Sequence, residues 1–461
     1  VLLCVLPLQS IVTNSAHFPS NEAIDALILK GWDRRNVPGM TVAVVERGKI
    51  RYMRGFGFAD LGKKIPASPS TVYRIGSVTK QFTATLVMQA VEHRKVSLDD
   101  TLGSTLPTSP KGWQAVTIRQ LLNHTAGIPS YTELPDYLEL IQHRVTPDHI
   151  NDRILAKPLE FEPGTRWKYS NSGYVLLGLI LERLYGEPFR EILRKGILAP
   201  LGMRHTYFTT EDHSVMNRAR GYTMTAGRVE PAEYIYMVWP FTAGEMESTA
   251  EDLAAWDAAL YGAKILRPSS LKQMWTPATL RDGSRVGYGM GWAIGSANGI
   301  PIVDHSGGIN GFRCYIQRTP TLGSTVIVLT NTDAIDPVPL GVQLARFVDP
   351  RLAVDDRAIP DSDPELSLRL KVAVLQVLSG KIDPRLFSAS MVTVFSEDAL
   401  ASMKSQADGW GPLKSMSLIK SKVFKGDTFR TYEFQFEKVS LLGKFVTDPQ
   451  KVVLGFELHP Q

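Results

Sequence analysis

The placement of strand-like segments constrains this chain more than anything else in it. Thr41-Val-Ala-Val-Val-Glu46 is nearly all apolar, as a central strand covered on both faces requires. Lys49–Arg54 follows across a turn at Arg47-Gly48, so the two segments read as a hairpin. Comparable segments return only much later, at Tyr288–Ile294, Pro301–His305, Arg313–Thr319 and Ser324–Thr330. Helical patterns joined by polar, Pro-rich connections lie between, among them Asn21–Gly31, Thr117–Gly127 and Ser172–Tyr185. If the early and late strands form one sheet, distant parts of the chain meet across it and helices cover its faces.

At 461 residues the chain exceeds one typical domain. Its composition shifts toward Asp, Pro and Arg from Asp349 to Pro364, which reads as a linker. Beyond it, Asp363-Pro364 starts a helix through Leu378 that stops at Gly380, and Ser396 starts another. Thr428–Phe436 then alternates, with Tyr432, Phe434 and Phe436 on one face. Val452, Leu454, Phe456 and Leu458 repeat that pattern. The expected organisation is a main domain over 17–350, a linker over 351–364 and a small α+β domain over 365–461.

Several function classes lose support at this level. The formal charge is +5, with basic residues scattered rather than clustered, which argues against nucleic-acid binding. Two cysteines, Cys4 and Cys314, imply neither a disulfide framework nor a thiolate metal site, and the nine histidines lack ligand spacing. No Gly-x-Ser-x-Gly elbow, His-Glu-x-x-His or phosphate-binding glycine loop occurs. Residues 1–16 combine an apolar run with Thr-Asn-Ser-Ala16, as a secretory signal peptide does; a buried N-terminal helix is the alternative. The run is too short, and too broken by Pro7, to span a bilayer, and no other stretch is long and apolar enough. A secreted or periplasmic protein without a membrane span follows as the expectation.

Three stretches carry candidate chemistry. In Tyr73–Val91, Phe82, Leu86 and Ala90 recur at helical spacing, so the segment reads as a half-buried helix opening on Ser77. Lys80 lies one turn on and shares its face, the arrangement an activated nucleophile needs. An ordinary N-cap serine followed by an exposed lysine would look the same, and Ser-x-x-Lys recurs at Ser269–Lys272 and Ser417–Lys420. In the second stretch a turn at Pro163-Gly164 leads to Tyr169 and Asn171, before a helix capped by Ser172. If extended, that backbone projects the phenol and the amide to one side; a simple capping loop is the alternative. In the third, a strand runs through His305 into Ser306-Gly307-Gly308, where missing side chains expose backbone N–H groups to a ligand. A plain glycine-rich turn is the alternative.

Taken in order, Ser77-Val-Thr-Lys80, Tyr169-Ser-Asn171 and His305-Ser-Gly307 resemble the serine β-lactamase and penicillin-binding protein superfamily. The resemblance is closest to the class C β-lactamase-like serine hydrolases, which include family VIII esterases and D-amino-acid peptidases. The flanking phrases Tyr73-Arg-Ile-Gly76, Leu121-Leu-Asn-His-Thr-Ala-Gly127, Phe161-Glu-Pro-Gly164 and Gly289-Met-Gly-Trp292 look like this group too. The resemblance implies a β-lactamase-like α/β (α+β) fold: an antiparallel sheet flanked by helices, plus a helical subdomain, followed by the small C-terminal α+β domain. It further implies that Ser77 forms an acyl-enzyme, that Lys80 and Tyr169 share the proton transfers in an unassigned order, and that Asn171 holds the substrate or the Lys80 amine. Backbone N–H groups of Ser77 and Gly308 would form the oxyanion hole. A lysine usually stands where this chain has His305, and a largely neutral imidazole grips a carboxylate less well.

The expectation is therefore a cofactor-independent, metal-free serine hydrolase acting on a small ester, amide or peptide, with homo-oligomerisation left open. A β-lactamase or D,D-carboxypeptidase is the alternative within the same chemistry. A non-catalytic receptor or scaffold that keeps the fold is the alternative outside it.

Overall fold

Strand β1 (Gly39–Glu46) is buried from Gly39 to Val45, and its alternate side chains enter two separate cores. Val42 and Val44 face one, Ala43 and Val45 the other, as the two-residue period of a strand demands. The structure is a computed structural model, and it describes residues 18–32, 36–146, 152–208, 215–353, 358–392, 394–424 and 426–460. The expected leader over 1–16 lies outside the described residues, as do 354–357 of the expected linker.

Arg47 and Gly48 turn the hairpin with φ of 48° and 74°, and β1 pairs there with β2 (Lys49–Asp60). The remaining strands of this sheet are β3 (Ile65–Pro66), β4 (Ala293–Ala297), β5 (Ile300–Ile309), β6 (Phe312–Thr319) and β7 (Ser324–Thr330). Their order is β4-β5-β6-β7-β1-β2-β3, with every neighbouring pair antiparallel. The early hairpin thus adds onto the last strand of the late group, joining Met40 to Thr330 in register.

Helices α1 (Asn21–Gly31) and, near the end of this unit, Val338–Val348 cover one face with Ile24, Ile28 and Leu344. The other face packs against α2 (Thr79–Glu92), α3 (Asn171–Tyr185) and α4 (Ala250–Ala259). A buried ion pair joins α4 to the sheet. Arg318 Nε on β6 donates to Asp257 Oδ1 at 2.5 Å, and Thr325 Oγ1 on β7 donates to the same oxygen at 2.6 Å. Both charged side chains are wholly shielded from solvent, and the guanidinium also stacks over the rings of Tyr261 and Trp275.

Three local expectations are corrected. The helix expected over Thr117–Gly127 spans only Ile118–Leu122, because His124 takes a left-handed φ of 62° that an α-helix cannot absorb. The strand expected from Tyr288 begins at Ala293. Gly291, at φ 77°, instead makes a tight turn closed by a Tyr288–Ala293 bridge. The strand expected over Lys49–Arg54 runs on through Gly55 and Gly57 to Asp60. A side chain at Gly55 would stand 2.1 Å from the carbonyl oxygen of Ala67, so glycine permits that close approach.

The chain divides into two compact units, Val1–Ala353 and Val354–Gln461. In the second, Asp363 caps the helix Pro364–Leu378, its carboxylate accepting from Leu366 N–H. This helix and Glu397–Ala407 accompany a four-stranded antiparallel meander: Leu413–Phe424, Asp427–Phe436, Ser440–Thr447 and Val453–Pro460. Leu370, Val374, Tyr432, Phe434 and Phe445 form its core. The alternation expected for Val452–Leu458 is broken. Thr447 pairs with Val453 and Val446 with Gly455, so Leu454 is an extra residue that bulges outward while Val453 is buried. Among the described residues no helix is long and apolar enough to cross a membrane.

Candidate active site

Gly76–Val78 forms a single 3₁₀ turn before α2 begins at Thr79, so Ser77 sits just ahead of the helix rather than opening it. Ser77 remains partly exposed, whereas Lys80, one turn on, is fully buried. The reading of Lys80 as an exposed first-turn residue therefore fails. Its Nζ lies 2.8 Å from Asn171 Oδ1, 2.8 Å from the carbonyl oxygen of Ala243 and 3.2 Å from Ser77 Oγ. Burial drives the lysine pKa well below 10.5 by stripping the hydration of an ammonium. Two of its three neighbours can only accept. A neutral amine gives them its two N–H bonds and turns its lone pair toward the Ser77 hydroxyl.

Tyr169 reaches the same point from the extended backbone ahead of α3. Its phenol faces Ser77, and its ring lies 4.8 Å from Lys80 Nζ. Burial raises the phenol pKa, with the nearby Ser77 hydroxyl opposing the rise only in part, so the group stays protonated at neutral pH. Asn171 is the first residue of α3, and its Nδ2 donates to Thr132 Oγ1 at 3.3 Å. Ser172, expected to cap the helix, turns inward and accepts from Tyr131 N–H at 2.9 Å.

The third stretch lies along β5, whose pairing with β4 ends at Asp304, so the backbone from His305 to Ile309 has one edge free of that partner. His305 is buried with both ring nitrogens occupied. The Ser306 carbonyl lies 2.6 Å from Nδ1, so Nδ1 carries the proton, and Nε2 accepts from the Tyr288 hydroxyl at 2.9 Å. Burial lowers the imidazole pKa to about 4. Ser306 points the other way, is exposed, and does not line the cleft beside Ser77. Gly307 presses directly on the backbone ahead of the nucleophile: a Cβ there would stand 2.0 Å from the Ile75 oxygen and 2.5 Å from Cys314 Sγ. Gly307→Ala is therefore expected to lower stability by about 3 kcal/mol, read as a shift in the urea midpoint. An unshifted midpoint would show that β5 does not bear on that turn.

These elements enclose a cleft of about 230 Å³ lined by Ser77, Tyr131, Asn171, Gly244, Gly308 and Arg313, among others. Seven of the eight residues singled out in the sequence gather around it or directly behind it; Ser306 contributes its carbonyl to His305 instead. Sequence reasoning missed the supports. His124 is buried, accepts from Ser170 N–H through Nδ1, and packs its ring 4.3 Å from that of Tyr169. Tyr288 and the Ala243 carbonyl were also overlooked. The Leu121–Gly127 phrase holds His124 and so contained a signal for it; nothing in the sequence marked the carbonyl.

The family model described as Beta-lactamase matches residues 24–346. "Protein flp" of Staphylococcus aureus (strain NCTC 8325 / PS 47) is 27% identical over 323 residues, which are 68% of this chain and 64% of that protein. The chain thus matches less than two thirds of that relative's length. The solved D-amino acid amidase from Ochrobactrum anthropi SV3 is similar with a TM-score of 0.61 at 28% identity, covering 70% of this chain and 96% of its own. The octameric penicillin-binding protein homologue from Pyrococcus abyssi has a TM-score of 0.63 and covers 95% of this chain and 99% of its own. At 23% identity its likeness bears on the fold.

Proposed function

Because the chain belongs to the Beta-lactamase family, within the serine β-lactamase and penicillin-binding protein superfamily, we propose that it cleaves ester or amide bonds through an acyl-enzyme on Ser77. The observation that carries this reading is the setting of Lys80: buried, held by two acceptors, and 3.2 Å from Ser77 Oγ. A buried amine whose pKa is held well below that of a solvated lysine can serve as a general base.

In this mechanism Lys80 takes the Ser77 proton as Oγ attacks the carbonyl carbon. Negative charge develops on the carbonyl oxygen, facing the backbone N–H groups of Ser77 and Gly308, a contribution of about 3–4 kcal/mol in comparable sites. Tyr169, kept protonated by burial and facing Ser77, gives its proton to the leaving group as the tetrahedral species collapses. The Lys80 ammonium then reprotonates the phenolate, and water releases the acyl group by the reverse proton path. His305 supports esters and amides over β-lactams. It is neutral with both nitrogens engaged, so it offers no cation where antibiotic-binding members place a lysine.

A panel of a short p-nitrophenyl ester, a D-amino-acid amide and a chromogenic cephalosporin, run on wild type and Ser77→Ala, tests the reading. Ser77→Ala is expected to lose on the order of 10⁴-fold or more in kcat. Activity surviving in that variant, or failure of folded wild type to label at Ser77 with a fluorophosphonate, would overturn the proposal.

A further inference from the structure

Arg313 is a cation in the cleft that the mechanism above does not use. It lies opposite Gly308 in the β5–β6 register, lines the same cleft as Ser77, and is partly exposed. Among the ion pairs and side-chain hydrogen bonds of the described residues, none engages its guanidinium. Gly308 makes room for it: a Cβ on that glycine would stand 2.2 Å from Arg313 Nη1. The guanidinium therefore lies over the strand position to which the proposed mechanism gives an oxyanion N–H. The other charged group lining the cleft is Asp333, whose Oδ2 is taken by Gly311 N–H at 2.8 Å.

The direction of the substrate follows from the proton donor. Resting on the proposed acyl-enzyme reading, the leaving group must face Tyr169, whose ring lies 6.3 Å from that of His305. The acyl portion then extends the opposite way, past Gly308 toward Ile309, Asn310 and Arg313. A planar, permanently charged fork with free donors on that side matches a carboxylate. We propose that Arg313 is a specificity-determining residue that binds a carboxylate carried on the acyl portion of the substrate, making the preferred substrates esters or amides of dicarboxylic or acidic amino-acid type. The missing cation at His305 is thus not a loss of anion recognition; the positive charge stands at the other end of the cleft.

The test compares 4-nitrophenyl hydrogen glutarate with its uncharged isostere 4-nitrophenyl pentanoate, as the ratio of their kcat/KM values. Wild type is expected to favour the glutarate at least tenfold, and less so at high salt. Arg313→Gln is expected to lower that ratio by about 10- to 100-fold, mostly through KM, and Arg313→Lys to restore part of it. A ratio unchanged within twofold in Arg313→Gln overturns the inference. So does an Arg313 dependence that appears only when the carboxylate is on the leaving group, read with the pentanoate ester of 3-hydroxybenzoic acid. Hydrolysis of both nitrophenyl esters that persists in Ser77→Ala would instead indict the acyl-enzyme reading. Calorimetric titration of glutaric acid monoanilide onto Ser77→Ala reads the subsite without turnover. Binding that is absent, or equal in Ser77→Ala/Arg313→Gln, also overturns it.

Discussion

Lys80→Met is expected to lower kcat/KM by about 10³- to 10⁴-fold while leaving a folded protein, because it removes the base without shrinking the buried side chain. The pH profile of the wild type separates this from the competing assignment. With Lys80 as base, kcat/KM rises with pH as the ammonium loses its proton, and burial sets that limb well below the 10.5 of a solvated lysine. Tyr169 must keep its proton to serve the leaving group. Its burial holds the pKa up, so no falling limb is expected before about pH 10. A phenolate base would give the reverse, a rate that climbs only as tyrosine ionises. The same shift governs stability. Unfolded Lys80 holds a proton up to about pH 10.4 that the folded state has already released, so its contribution grows more favourable as pH rises between the two values. A rising limb centred near 10.5, or a Lys80→Met variant of ordinary activity, would remove Lys80 from the base role.

Asp257→Ala is expected to cost about 3–5 kcal/mol, the largest stability loss of any single change considered for this chain. The substitution leaves the Arg318 guanidinium without its carboxylate in a site closed to water, and leaves the Thr325 hydroxyl without its acceptor. Stacking over Tyr261 and Trp275 compensates only part of this, since cation–π contacts contribute about 2 kcal/mol when desolvated and cannot replace the lost carboxylate. The double variant Asp257→Leu/Arg318→Met should recover most of the loss, because it removes both buried charges together. Guanidinium unfolding of the three proteins checks this. A loss below about 1 kcal/mol for Asp257→Ala would mean that water reaches the pair.

Much of this architecture is legible in the sequence, for identifiable reasons. The apolar run of β1 and the strand-like late segments pointed to a shared sheet, because burial on two faces leaves little freedom in composition. Ser77, Lys80, Tyr169 and Asn171, which the fold brings together, stand out in the sequence because each sits beside a turn or helix start with a recognisable local signal. The errors lie where tertiary contact overrides local pattern. His124 ends a helix through its left-handed backbone, and Leu454 bulges because its neighbours in the ladder demand it. Ser306 was grouped with its neighbours, yet strand alternation turns it away from His305. Arg313 was invisible as a site residue: only the register that sets it opposite a glycine gives it meaning.

The pairing of Met40 with Thr330 also shapes how the molecule comes into being. Synthesis delivers β1 and β2 early, but the other edge of β1 has no partner until β7 has been made. Closing so long a loop is entropically costly and slows folding relative to local contacts. Meanwhile the apolar edge of the hairpin is exposed to other strands, a hazard for self-association of the incomplete chain. The nucleophile shares this delay. Ser77 emerges early, yet Gly308 completes its surroundings only once the late strands have docked, so a partly made chain carries the serine but not the site.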